Sequence, residues 1–144
     1  MPLLANSATN SAATASFTDV SAAYTSASRG DTVLIPSGAA DWAGNTLTVS
    51  KGVALVGAGR TSTLIKSSGA AIAIEPDSTA LASGEAFRVF ALSINGSGAA
   101  VNCITVDGAG YSDTKALTNL AIGNCMFTNL ANITSGAGAI STTK

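Results

Sequence analysis

Apolar residues in this chain fall into short blocks separated by glycine-containing turns, and the blocks change character near residue 30. From there they read TVLIP (Thr32 to Pro36), LTV (Leu47 to Val49), VALV (Val53 to Val56), TLI (Thr63 to Ile65) and AIAI (Ala71 to Ile74). Further on come FRVFALSI (Phe87 to Ile94), CITV (Cys103 to Val106), LTNLAI (Leu117 to Ile122) and CMF (Cys125 to Phe127). Blocks this short, rich in β-branched residues and bounded by turn residues, predict strands. Before residue 30 the spacing is helical. Val20, Ala23, Tyr24 and Ala27 share one helix face, Thr18 suits the N-cap, Asp19 favours the positive end of the dipole, and Gly30 suits the stop. Residues 1–16 are rich in Ala, Ser, Thr and Asn, show no period, and read as an extended arm. The expected organisation is an arm over 1–16 and one domain over 17–144. Within that domain a helix over 18–29 precedes strands over 31–144, and the closing AISTTK lacks a capping element, as in a domain cut short.

Strands with no helices between them exclude an ordinary βαβ sheet and leave a sandwich, a barrel or a β-solenoid. One spacing favours the last. Asn102-Cys103 and Asn124-Cys125 repeat the same dipeptide 22 residues apart, each followed by apolar residues. A period in the low twenties suits one turn of a solenoid, with equivalent residues stacked on neighbouring strands ~4.8 Å apart. The two cysteines read as buried thiols rather than a disulfide.

The stretch FTDVSAAYTSASRGDTVLIPSG (Phe17 to Gly38), then Trp42, then LTVSKGVALVGAGRTSTLI (Leu47 to Ile65), resembles the entry region of pectate-lyase-like right-handed β-helix proteins. FRVFALSING (Phe87 to Gly96) and LTNLAIGNCMFTNL (Leu117 to Leu130) are similar to later turns of that fold. The resemblance covers about 110 residues. It implies an all-β, right-handed parallel β-helix with a short N-terminal capping helix. It does not fix a function, because that family spans lyases, hydrolases, adhesins and phage tail proteins.

Composition narrows the chemistry. There is no histidine, so Ser-His-Asp and Cys-His mechanisms cannot be assembled within the chain. With no histidine and no CxxC spacing, a zinc site has no support, and no metal or cofactor is expected. GAGRTS (Gly57 to Ser62) lacks the third glycine and following helix of a dinucleotide loop. Charged residues are only 10% of the chain, against roughly 25% in an average soluble domain, and the net charge is −1 without basic clustering. Nucleic acid is therefore not an expected partner. No apolar run approaches the ~18 residues of a membrane span.

Polysaccharide lyases of the resembled fold carry acidic calcium ligands and a basic residue on one outer face. The matching residue types here are Asp77, Glu85, Asp107 and Asp113, with Arg88 and Lys115. No two acids share a spacing that makes a calcium cage or a catalytic pair, so no catalytic residue is assigned. Trp42 and Tyr111, aromatic residues in expected loops, are candidates for stacking on sugar rings, with Asp107 and Asp113 as polar partners. The triplets Asn95-Gly96-Ser97 and Asn132-Ile133-Thr134 match the glycosylation acceptor, which needs an export signal to matter.

The leading expectation is a structural, virion-associated protein of a bacteriophage (tail spike, fibre or capsid decoration). It would be homo-oligomeric or packed against neighbouring virion subunits, would sit on the virion or outside the cell, and would contact polysaccharide. A polysaccharide lyase or hydrolase whose active site lies elsewhere is the alternative, and a cell-surface adhesin is the third reading.

Overall fold

A computed structural model describes residues 7–98, 102–107, 119–130 and 140–143. The first helix, α1 (Phe17–Ser26), starts earlier than the pattern predicts. Ser16, not Thr18, is its N-cap: its hydroxyl accepts from Asp19 N–H at 3.3 Å. Val20 and Ala23 point inward, and Ala27, already extended, closes the last turn with its N–H on the Ala23 and Tyr24 carbonyls. Gly30, the expected stop, lies beyond the helix at φ +86°.

Thirteen strands are assigned among the described residues. They are β1 (Thr9–Ser11), β2 (Thr32–Ile35), β3 (Gly38–Ala43), β4 (Leu47–Val49), β5 (Ala54–Gly57), β6 (Thr63–Ser67) and β7 (Ile72–Ile74). After a second helix, α2 (Ser78–Ser83), follow β8 (Phe87–Phe90), β9 (Ser93–Asn95), β10 (Ile104–Asp107), β11 (Leu120–Gly123), β12 (Met126–Thr128) and β13 (Ile140–Thr143). They form three sheets with strand orders β1-β2-β5-β8-β11, β13-β10-β7-β4 and β12-β9-β6-β3. Every pairing is parallel.

This corrects the expected fold class. In place of an all-β right-handed β-helix of low-twenties turns, the described residues make three separate short parallel sheets and two helices. The 22-residue spacing does not join equivalent positions. Cys103 leads into β10, whereas Cys125 leads into β12 of a different sheet, so the two Asn-Cys dipeptides are not equivalent. Pairing offsets are also uneven: Thr32 lies opposite Ala54, but Ala54 lies opposite Arg88. Part of the longer offset is α2, which Asp77 caps by accepting from Ala80 N–H at 2.8 Å and Gly84 ends at φ +61°.

Part of the N-terminal arm joins a sheet. Residues 9–11 pair with β2, and the chain around them is tied down by a carboxylate. Asp31, only 6% exposed, accepts from Ala8 N–H (2.7 Å), Ser28 N–H (2.8 Å) and Asn10 Nδ2 (3.1 Å). The bonds from Ser28 and Ala8, then the one from Asn10, hold its carboxyl below the usual aspartate range. A depressed folded pKa contributes stability that is present above the unfolded value and is lost as pH falls through the folded one. The melting temperature should therefore drop as pH is lowered below about 4. In Asp31→Asn an amide must face at least one N–H donor. That variant should melt several degrees lower at pH 7 and show a shallower acid slope, which calorimetry between pH 7 and pH 2 would reveal. An unchanged slope would contradict the clamp.

Alternation along each strand builds the interior. In β6 the pattern is buried, exposed, buried, exposed, buried, and β2 likewise buries Val33 and Ile35 while exposing Leu34. Buried side chains from all three sheets, among them Ile35, Leu55, Ile65, Ile72, Ile74, Leu92, Ile94 and Ile104, form one cluster. Helix α1 adds Val20 and Ala23 to it. Tyr24 fastens the helix further, its hydroxyl accepting from Ser50 N–H at 2.8 Å while the Lys51 ammonium sits 4.8 Å from its ring centre.

Candidate binding site on an outer sheet face

The residues expected to contact sugar do not converge. Trp42 belongs to β3 rather than to a loop, and it is fully buried. Its indole N–H donates to the Ala15 carbonyl at 2.9 Å, and Phe17 packs edge-on at 5.5 Å between ring centres. With both faces inside the core it offers no stacking platform, so this assignment is corrected. Asp107 ends β10, where its backbone pairs with Thr143 of β13. Tyr111, Asp113 and Lys115 lie outside the described residues.

Asp77 and Glu85, considered as lyase-like acids, serve the fold. Both bind the Arg29 guanidinium, Asp77 at 2.5 Å and Glu85 at 2.8 Å, and Glu85 also accepts from Gly52 N–H at 2.7 Å. The Arg29 guanidinium, and then the Ala80 N–H at the cap of α2, keep the Asp77 carboxyl below its usual range. Arg88 is exposed on β8 and lines a cleft of about 300 Å3 with Arg29 and Glu85. Among the described residues no group of three or more Cys, Asp or Glu side chains is placed to hold a metal ion.

The cysteines differ in access. Burial raises both thiols, Cys103 to about 11. At pH 7.5 only roughly one Cys103 in a few thousand is thiolate, and the residue is fully buried. A thiol reagent added to the folded protein should modify half-buried Cys125 first and reach Cys103 only on unfolding. Mass spectrometry of the labelled chain would show this, and equal labelling rates would contradict the packing.

A different site emerges on the outer face of the β12-β9-β6-β3 sheet. A cleft of about 430 Å3 runs across all four strands there, lined by Ala39, Asp41, Leu64, Lys66, Ser93, Asn95, Met126 and Thr128, among others. Register explains it. Ala39, Leu64, Ser93 and Met126 are successive partners across the sheet, as are Asp41, Lys66, Asn95 and Thr128. In the first row Ser93 is short and 3% exposed, while its neighbours Leu64 and Met126 are 39% and 38% exposed. The small residue makes a floor and the two long apolar ones make the rim. The second row is polar. Lys66 Nζ and Asp41 Oδ2 are 3.0 Å apart, and Asn95 Oδ1 accepts from Ser97 N–H at 2.8 Å, which leaves the Asn95 amide hydrogens as its offering to a ligand.

Asp41 is held in place locally. The register shifts between Asp41 and Ala43, Ala43 takes a φ of 51°, and its N–H donates to Asp41 Oδ1 at 2.8 Å. That bond first, and Lys66 second, keep the Asp41 carboxyl below its ordinary range.

No family model matches the chain, and neither a curated protein nor a solved structure matches it.

Proposed function

We propose that this chain is a structural component of a virion or another extracellular assembly, and that it binds polysaccharide in the cleft across β3, β6, β9 and β12. The cleft carries the reading. It sets an apolar rim beside a row of hydrogen-bonding side chains, which is what a sugar ring with one C–H face and several hydroxyls requires. Its breadth of four strands, about 14 Å, suits an oligosaccharide better than a single ring. The assembled character rests on the sparse charge: a surface with so few charged residues favours association over free solution.

Affinity electrophoresis of the full chain through gels containing dissolved polysaccharides, paired with native mass spectrometry, tests both halves. Retardation by at least one polysaccharide, a defined oligomer and no new reducing ends are the expected results. Free migration through every gel would sink the binding function, and release of shortened chains would transfer the protein to the polysaccharide-cleaving enzymes.

A further inference from the structure

Resting on that reading of the cleft, we infer that its ligand is a neutral glycan, held through a vicinal diol that bridges Lys66 and Asp41. Among the described residues these two are the charged groups lining the cleft, and their charges cancel. An acidic sugar would bring its carboxylate or sulfate against Asp41 as well as Lys66. An amino sugar in its charged form would meet Lys66 as well as Asp41. A diol meets no such conflict, because its two hydroxyls are spaced about a hydrogen-bond length apart. One oxygen accepts from the Lys66 ammonium while the neighbouring hydroxyl donates to the Asp41 carboxylate. Both bonds are charge-assisted.

Stability does not account for this pair. Its side chains are 56% and 54% exposed, where an ion pair contributes little to folding. Yet Asp41 is not loosely held, since Ala43 N–H fixes one carboxylate oxygen and leaves the other toward Lys66. The arrangement is preorganised on the polar side of the cleft, two residues along the strands from the Leu64 and Met126 rim that would take the C–H face of the same ring. Asn95 and Thr128 continue the polar row along the next two strands with uncharged donors and acceptors, which extends the preference for a neutral ligand beyond one ring.

The test uses the full 144-residue chain on a printed panel of neutral, acidic and amino-sugar glycans, with chelator present. Titration calorimetry on the best binder follows. A neutral glycan should lead the panel, and Asp41→Asn and Lys66→Gln should each weaken it about tenfold. The melting temperature should fall only slightly, because Asn can still accept from Ala43 N–H and the pair is exposed. If acidic or amino-sugar glycans lead the panel, the neutral-diol inference is overturned while the polysaccharide reading stands. Neutral binding indifferent to both substitutions also overturns it. Binding to nothing on the panel removes both.

Discussion

Gly57→Ala is expected to destabilise the protein by about 3 kcal/mol or more, lowering its melting temperature by roughly 10 °C. Gly57 ends β5 where the neighbouring strand β8 turns through Ala91, and a Cβ there would stand 2.3 Å from the Ala91 carbonyl oxygen and 2.9 Å from Leu92 Cβ. Neither obstacle can step aside cheaply. The carbonyl is backbone and accepts from Gly59 N–H at 2.9 Å, and Leu92 is fully buried in the core. Ala91 already holds a φ of 59°, a conformation that costs a non-glycine residue energy, so this corner has little slack. Gly69→Ala is the matched control, because a Cβ at that position meets nothing within 4 Å. Thermal melts of the two variants decide the matter: equal melting temperatures would mean that the β5 and β8 chains do not approach as described.

The second large effect is Trp42→Ala, with an expected loss of about 3–5 kcal/mol. Truncation empties the largest fully buried side-chain volume, strips the edge contact from Phe17 and leaves the Ala15 carbonyl without its indole donor. Because Phe17 and Ala15 flank the N-cap of α1, the helix should loosen with the core. Trp42→Phe separates the terms: it retains most of the volume and should cost about 1–3 kcal/mol, chiefly the unpaired carbonyl. Urea unfolding followed by circular dichroism would rank the three proteins. Trp42→Ala within 1 kcal/mol of the parent chain would place this residue outside the core.

Much of the secondary structure was readable because apolar blocks mark strands wherever one face is buried. TLIKS shows the rule, with Thr63, Ile65 and Ser67 inward and Leu64 and Lys66 outward. The strand β3 was not readable, since GAADWA offers one large apolar residue and otherwise alanine, glycine and aspartate. Its pairing with β6 makes it a strand, and pairing is not a local property. The same blindness placed Trp42 in a loop. For α1 the helical spacing was clear, but the cap falls on Ser16 rather than on Thr18, because helix ends are the least local part of the pattern. The unit joining FRVF to SIN read as one block because Ala91, unlike glycine, gives no sign of the left-handed turn it adopts.

The cleft was hidden for a related reason. Asp41, Lys66, Asn95 and Thr128 belong to four strands far apart in the chain, and the register of three parallel pairings brings them into one row. A trace was present in the outward positions of TLIKS, SIN and MFT, which alternate with buried Ile65 and Ile94 and half-buried Phe127. A single sequence, though, does not say which strands are neighbours. The repeated Asn-Cys dipeptide suggested neighbours and was misleading, as those residues enter different sheets.

The outer face of β3, β6, β9 and β12 is proposed as a carbohydrate site. Its most direct test is a titration of the isotope-labelled chain with the tightest-binding neutral oligosaccharide, followed by amide and side-chain chemical shifts. Saturable shifts should concentrate at Asp41, Leu64, Lys66, Asn95, Met126 and Thr128, with the buried Trp42 indole signal unmoved. Shifts gathered instead around Arg29, Glu85 and Arg88, or saturable binding that leaves the four-strand face untouched, would contradict it.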